Sequence, residues 1–206
     1  MRKFGVTATP QKSADDSGYE DANAFRVSYV PANAGVYNIF LYGPILDASQ
    51  FVDAIQAMSV ASEIDVVQIH LSTPGGSLDA TDTFIHAMRE CSARIIVKAS
   101  GGVHSAGSVI LLNADEFTLS ENFNCLIHNG SVGPAGKFSD WRAETKHTDA
   151  YMERVMRSTY EGFLSEEELD NLLAGKDIWL DAESFVARWE ARNAAYEAAI
   201  EASEDE

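Results

Sequence analysis

Ser105 stands at the head of a small-residue, apolar segment that runs to about Asn113, directly behind the glycine pair Gly101-Gly102. A serine at such a junction has two uses. It can cap a helix, or it can attack a carbonyl when a base takes its proton and donors hold the oxyanion. His128 closes a short β-type run ahead of a glycine-rich loop, so its ring can face the same edge. Asp177 follows Gly175 and leads into Ile178-Trp179-Leu180, where a carboxylate can be held partly buried. Each residue alone has an ordinary structural reading: an N-cap, a hydrogen-bonded core histidine, one acid among many. The elbow motif Gly-x-Ser-x-Gly is not met, because Val103 sits two positions before the serine. Lys98 is the candidate base of a Ser-Lys arrangement, but it lies within the strand before the turn, and His128 fits better.

The elements that must position these residues follow from hydrophobic periodicity. Phe25 to Val30, Val36 to Tyr42, Asp65 to Leu71, Arg94 to Ala99, Glu116 to Leu119 and Asn124 to His128 read as strands. Helices are expected from Ala48 to Ser59 behind an Asp47 cap, and after Ser77 with Phe84, Ile85 and Met88 on one face. Further helices are expected from Ser105 to about Asn113, from about Asp140 to Phe163, after a Ser165–Glu168 capping box, and briefly around Phe185 behind Asp181. Strand, glycine-rich turn, helix, repeated, is the pattern of βαβ units around a mainly parallel sheet. The turns Pro74-Gly75-Gly76 and Gly101-Gly102 both join a strand's C-terminal end to a helix start. In open α/β sheets that edge is where ligands bind, although tight turns alone would also use these residues. Neither phosphate-cradling motif, GxGxxG or GxxxxGK[ST], is present. The helix from Asp140 spans about 24 residues and about 36 Å at roughly 1.5 Å per residue, so it either crosses the domain or projects to meet a partner.

The chain's 206 residues fit one domain, with residues 1–24 a polar arm, 25–190 the folded unit and 191–206 an acidic tail. Fifteen Lys and Arg against thirty-two Asp and Glu give a formal net charge of −17. That sign argues against nucleic acid or an anionic membrane surface as partner. The stretch from Glu161 to Glu206 carries −11 of it, leaving −6 on the first 160 residues. No apolar run is long enough to span a bilayer, and the N-terminus has no secretory core behind Arg2-Lys3. Cys91 and Cys125 lie in apolar-periodic segments without CxxC or HExxH spacing, which reads as two free thiols in a reducing compartment and no metal site.

The ordered set of motifs from about Val36 to Glu190 resembles the proteolytic subunit of the Clp proteases. The resemblance rests on Ser72-Thr73-Pro74-Gly75-Gly76, on Gly101-Gly102-Val103-His104-Ser105-Ala106-Gly107, on Ile127-His128 followed by a glycine loop and Asp140, and on Asp177-Ile178-Trp179-Leu180-Asp181-Ala182. It implies an α/β, ClpP/crotonase-like spiral of βαβ units with a long "handle" helix. It also implies a serine endopeptidase with Ser105 as nucleophile, His128 as base, Asp177 as orienting acid, and the N–H groups of Gly76 and Ala106 as oxyanion hole. An extended polypeptide substrate would lie along Gly75, Ser77, Leu78 and Ser131, with no cofactor.

The same resemblance implies a homo-oligomer of seven-membered rings, single or stacked as fourteen, in the cytoplasm (a host's, if phage-encoded). The apolar stripe Tyr151 to Phe163 would then serve as interface as readily as core. The family's partner is an AAA+ unfoldase, but residues 1 to 30 do not carry the recognisable segment that meets it. His104 beside the nucleophile, Asn129-Gly130 after the base and the acidic C-terminal extension depart from the family pattern. Two further readings use the same fold: a crotonase-like acyl-CoA enzyme, which has no need of the Ser/His/Asp set, and a catalytically silent ring subunit.

Overall fold

A computed structural model describes residues 26–30, 34–130 and 138–204. The strands are β1 (Arg26–Val30), β2 (Val36–Tyr42), β3 (Val66–Thr73), β4 (Arg94–His104), β5 (Glu116–Leu119), β6 (Asn124–Ile127) and β7 (Ile178–Asp181). The α-helices are α1 (Val52–Val60), α2 (Leu78–Glu90), α3 (Ala106–Leu112), α4 (Phe138–Tyr160), α5 (Glu166–Leu173) and α6 (Ala182–Glu204). One mixed sheet runs β1-β2-β3-β4-β6-β7, with β5 also paired to β4. The pairs β2–β3, β3–β4, β4–β5 and β4–β6 are parallel, and the two outer pairs are antiparallel. The expected α/β fold with a mainly parallel sheet and one long helix after the βαβ core is therefore present.

Alternation along the central strands sets the core. Ile39, Leu41, Val67, Ile69, Leu71, Val97 and Val103 are fully buried on one face with Phe51, Phe84 and Met58 of the flanking helical segments. The intervening residues are half-buried and mixed, with Phe40, Val66 and Ile96 among Asn38, Gln68, His70 and Lys98. Asn38 Oδ1 lies 3.0 Å from His70 Nε2, and Lys98 Nζ donates to Gln68 Oε1 at 2.7 Å. Burial, then the Lys98 charge, pulls the His70 pKa below its ordinary value.

Four elements differ from the sequence expectation, one of them β7, a strand paired to β6 where only an apolar run after Asp177 was expected. The strand expected to stop at Ala99 continues through the glycines to His104. Leu71 pairs Ala99 while Thr73 pairs Val103, so Ser100–Gly102 form a bulge. The bulge redirects β4 from β5, which pairs residues 96–99, to β6, which pairs residues 102–104. The first helix opens as a 3-10 turn over Ala48–Phe51, held by the Asp47–Gln50 capping box, before α1. The helix expected to be short around Phe185 runs from Ala182 to Glu204, because its Ala- and Glu-rich sequence contains no glycine or proline to end it. Asp181 Oδ1 accepts from Ser184 N–H at its start, as expected of a cap.

The stripe on α4 is used as core over its described half. Met152, Met156 and Tyr160 are buried, as is Phe163 beyond the helix end, and Tyr151 and Val155 pack against them. Phe185 of α6 reaches the same cluster, with ring centroids 5.0 Å from Phe163 and 5.5 Å from Phe117 and Phe123. Among the described residues no helix is long and apolar enough to cross a membrane. Cys91 and Cys125 are free thiols, and burial pushes Cys125 up to about 12.

Arg188 of α6 binds Glu168 of α5 through two bonds of 2.7 and 2.8 Å. This guanidinium holds the Glu168 carboxyl at about 2, below its ordinary 4.5. A depressed carboxylate pKa stabilises the fold above the unfolded value, and that stability is lost as pH falls toward the folded value. Arg188→Gln is expected to cost about 1 kcal/mol at neutral pH and to flatten the loss of stability between pH 4.5 and 2, as read by denaturant melts across that range.

Candidate active site

The site is built on the C-terminal ends of β3, β4 and β6. Thr73 ends β3 fully buried, and its Oγ1 donates to Gly43 O at 2.6 Å while accepting from Gly75 N–H at 3.0 Å. This fixes the turn that follows. Gly75 O accepts from Ile45 N–H at 2.9 Å, and Ser77 N–H donates to Ile45 O at 2.8 Å. Gly75 and Gly76 have φ of +88° and +149°, where side chains are strained. Neither has room for one. A Cβ on Gly76 would lie 1.9 Å from Ile45 O, and a Cβ on Gly75 would lie 2.7 Å from Ser105 Cβ and 3.0 Å from Ala106 N. The two glycine-rich segments noted in the sequence are thus packed backbone against backbone.

Ser105 sits in that contact with φ 54° and ψ −124°, and it is the only non-glycine residue with positive φ among those described. Such a conformation costs about 1–3 kcal/mol and is held by its surroundings. Ser105 N–H donates to Leu126 O at 2.7 Å. Its carbonyl accepts from Ser108 N–H at 2.9 Å and from Ser108 Oγ at 2.6 Å. Its hydroxyl makes no capping bond, although the residue occupies the N-cap position of α3. The capping use of this serine is therefore not the one the fold adopts.

Two backbone donors flank it. The bonds to Ile45 engage Gly75 O and Ser77 N, so the Gly76 N–H points the other way by the alternation of an extended segment. Neither Gly76 N–H nor Ala106 N–H has an acceptor among the described residues. Unpaired buried N–H groups are rare in folded proteins; Ala106 is fully buried, whereas Gly76 is exposed. Two unengaged N–H groups beside a serine are the arrangement that stabilises an oxyanion during acyl transfer.

His128 follows β6. The register of His104 with Leu126 brings the residue after β4 beside the end of β6, and Ile127 pairs Ile178. One step further along this antiparallel pair sets His128 opposite Asp177. The backbone therefore gathers Ser105, His128 and Asp177 on adjoining chain segments. Their side chains are not hydrogen-bonded to one another among the described residues. Asp177 is exposed rather than partly buried, because it precedes β7 at a glycine turn with no element packed over it.

Leu78 opens α2, and Ser77 Oγ accepts from Ala80 N–H at 3.3 Å as a cap. A Cβ on Gly130 would lie 2.7 Å from Met152 Cε and 3.9 Å from Leu78 Cδ1, so the loop after His128 lies between α2 and α4. Ser131 falls outside the described residues. His104 Nε2 lies 2.7 Å from Asn124 Oδ1, and its ring meets Trp179 edge-on at 5.4 Å, so it braces β4, β6 and β7 rather than the Ser105 hydroxyl. Lys98 lies seven residues up β4, about 20 Å away at roughly 3.3 Å per residue, and is engaged with Gln68.

The sequence reading passed over a buried pair. Tyr160, fully buried at the end of α4, reaches Ser108 Oγ at 2.6 Å and adjoins Cys125 of β6. The signal in the sequence was the place of Tyr160 at the end of a helix whose apolar stripe must pack on the sheet.

The mainly parallel sheet thus carries Ser105 at a strained junction between two N–H groups without acceptors among the described residues. The comparison with protein families identifies the fold more closely. The Clp protease family model matches residues 34–187, and the chain belongs to that family. It is also similar to the ATP-dependent Clp protease proteolytic subunit 2 of Pseudomonas aeruginosa, at 26% identity over 177 residues, 84% of this chain and 87% of that protein.

Gly75→Ala is expected to push the added methyl into Ser105 and Ala106. Denaturant melts should show a loss of about 1–3 kcal/mol from the strained φ and the clash together.

Proposed function

We propose that this chain is a serine endopeptidase of unfolded polypeptides. Ser105 Oγ attacks the scissile carbonyl while His128 accepts the hydroxyl proton. The tetrahedral oxyanion is held by Gly76 N–H and Ala106 N–H. Collapse breaks the C–N bond as His128 returns the proton to the leaving amine, leaving an acyl-Ser105 ester. Water, deprotonated by His128, hydrolyses that ester and restores the serine. The observation that carries this reading is the free Ser105 hydroxyl at φ 54°, docked against two N–H groups without acceptors. No cofactor takes part. The substrate would extend past Gly76 toward Leu78 and Ser131, adding a strand where the Gly76 N–H and C=O remain open.

Asp177 is the carboxylate proposed to orient the imidazole, since the β6–β7 register, extended one residue beyond Ile127 and Ile178, would set it opposite His128. Asp177→Asn is expected to lower kcat about 10⁴-fold in a fluorogenic-peptide assay, and a change within a few-fold would exclude Asp177 from the role.

The half-buried face of the sheet, with Phe40, Val66 and Ile96 on it, supports assembly into rings, since mainly parallel sheets are ordinarily covered on both faces. Seven-membered rings, single or stacked as fourteen, would place the site in a chamber fed by an AAA+ unfoldase. The ATP dependence in the name of the P. aeruginosa relative suits such a partner. Two free cysteines suit the cytoplasm. A silent ring subunit is the second reading, favoured by the missing Ser105–His128 hydrogen bond, although such bonds often tighten only on substrate binding. Labelling by a fluorophosphonate decides between them. The wild type is expected to label and Ser105→Ala not at all; no labelling of the wild type, or equal labelling of both, would overturn the peptidase.

A further inference from the structure

Ser108 lies on α3 one turn past Ser105 and is fully buried. Its Oγ donates to the Ser105 carbonyl at 2.6 Å, on the same oxygen that accepts Ser108 N–H at 2.9 Å. That donation uses the only hydroxyl proton Ser108 has. The 2.6 Å contact between Ser108 Oγ and Tyr160 Oη must therefore be donated by Tyr160. The result is a one-way chain, Tyr160 O–H to Ser108 O–H to Ser105 C=O. Burial pushes the phenol pKa up, which keeps the proton on Tyr160 as the chain requires.

The consequence follows from peptide geometry. The Ser105 carbonyl and the Ala106 N–H belong to one planar trans unit, in which C=O and N–H point in opposite directions. Fixing the carbonyl inward on Ser108 fixes the Ala106 N–H outward, and Ala106 N–H has no acceptor among the described residues. Hydrogen bonds accepted by the carbonyl also polarise the same unit and strengthen its N–H as a donor. The strain at Ser105, φ 54°, means that the plane would turn if released.

We propose that Tyr160 and Ser108 are positioning residues that aim the Ala106 N–H at the substrate oxyanion, so that the end of α4 sets the oxyanion hole. This rests on the serine peptidase reading above. Neither residue touches the reacting atoms. Their effect is on the rate of bond formation at Ser105, not on how tightly a ligand is held.

The test is the inactivation of the full-length protein by a fluorophosphonate, with the first-order rate kinact separated from the half-saturation constant KI. Wild type, Tyr160→Phe, Ser108→Ala and the double variant are compared, with thermal melts on the same samples and rates normalised to the fraction of sites finally labelled. The expected result is that kinact falls about tenfold in each single variant while KI stays within twofold. Because the residues act in series, the double variant should match Ser108→Ala. A purely structural role predicts lower melting temperatures with kinact per labelled site unchanged, and that result would overturn the proposal while leaving the peptidase intact. Multiplying effects in the double variant would also contradict the chain. A wild type that does not label at Ser105 would remove both this proposal and the reading beneath it.

Discussion

The structure depends on the contact between two stretches of backbone, Gly75-Gly76 and Ser105-Ala106. Positive φ at three of these four residues, and the absence of space for a Cβ on either glycine, allow the β3–α2 turn to lie against the β4–α3 junction. Every nearby element serves that contact. Thr73 ties the turn to Gly43, Ile45 brackets it from outside, and the bulge at Ser100–Gly102 steers β4 so that Ser105 comes beside β6. A site formed of backbone N–H groups needs this close approach, since a donor cannot be moved nearer by choosing a longer side chain.

The energetic balance is local. Ser105 carries strain of about 1–3 kcal/mol, offset by bonds at both ends of the residue, to Leu126 on one side and from Ser108 on the other. Tyr160 extends this support into the aromatic core around Phe163 and Phe185. The long helix α4 is thus anchored by its C-terminal end in the same hydrogen-bonded group that holds the Ser105 backbone. The charge of the chain lies largely elsewhere, with −11 of the net −17 on residues 161–206.

The sheet, its helices and the two glycine segments were legible because period-2 and period-3.6 patterns and Gly-Gly pairs are local signals. The capping box at Ser165 and the cap at Asp181 were legible for the same reason. What escaped depended on contacts distant in sequence. Glycines 101 and 102 read as a stop, yet partner strands on both sides carry β4 through them. Ser108 read as one more small residue in a buried helix and Tyr160 as one more member of an apolar stripe, and only their meeting across 52 positions gives either a task. Asp177 looked sheltered between a glycine and an apolar run, but shelter comes from what packs over a residue, and it is exposed.

The most direct test of the account is a crystal structure of the phosphonylated protein. The phosphonyl group mimics the tetrahedral intermediate, so its non-bridging oxygen reports where the oxyanion would sit. The account predicts phosphorus bonded to Ser105 Oγ and that oxygen about 2.7–3.1 Å from both Gly76 N and Ala106 N. An adduct on another residue, or a phosphonyl oxygen turned to solvent away from both N–H groups, would contradict it.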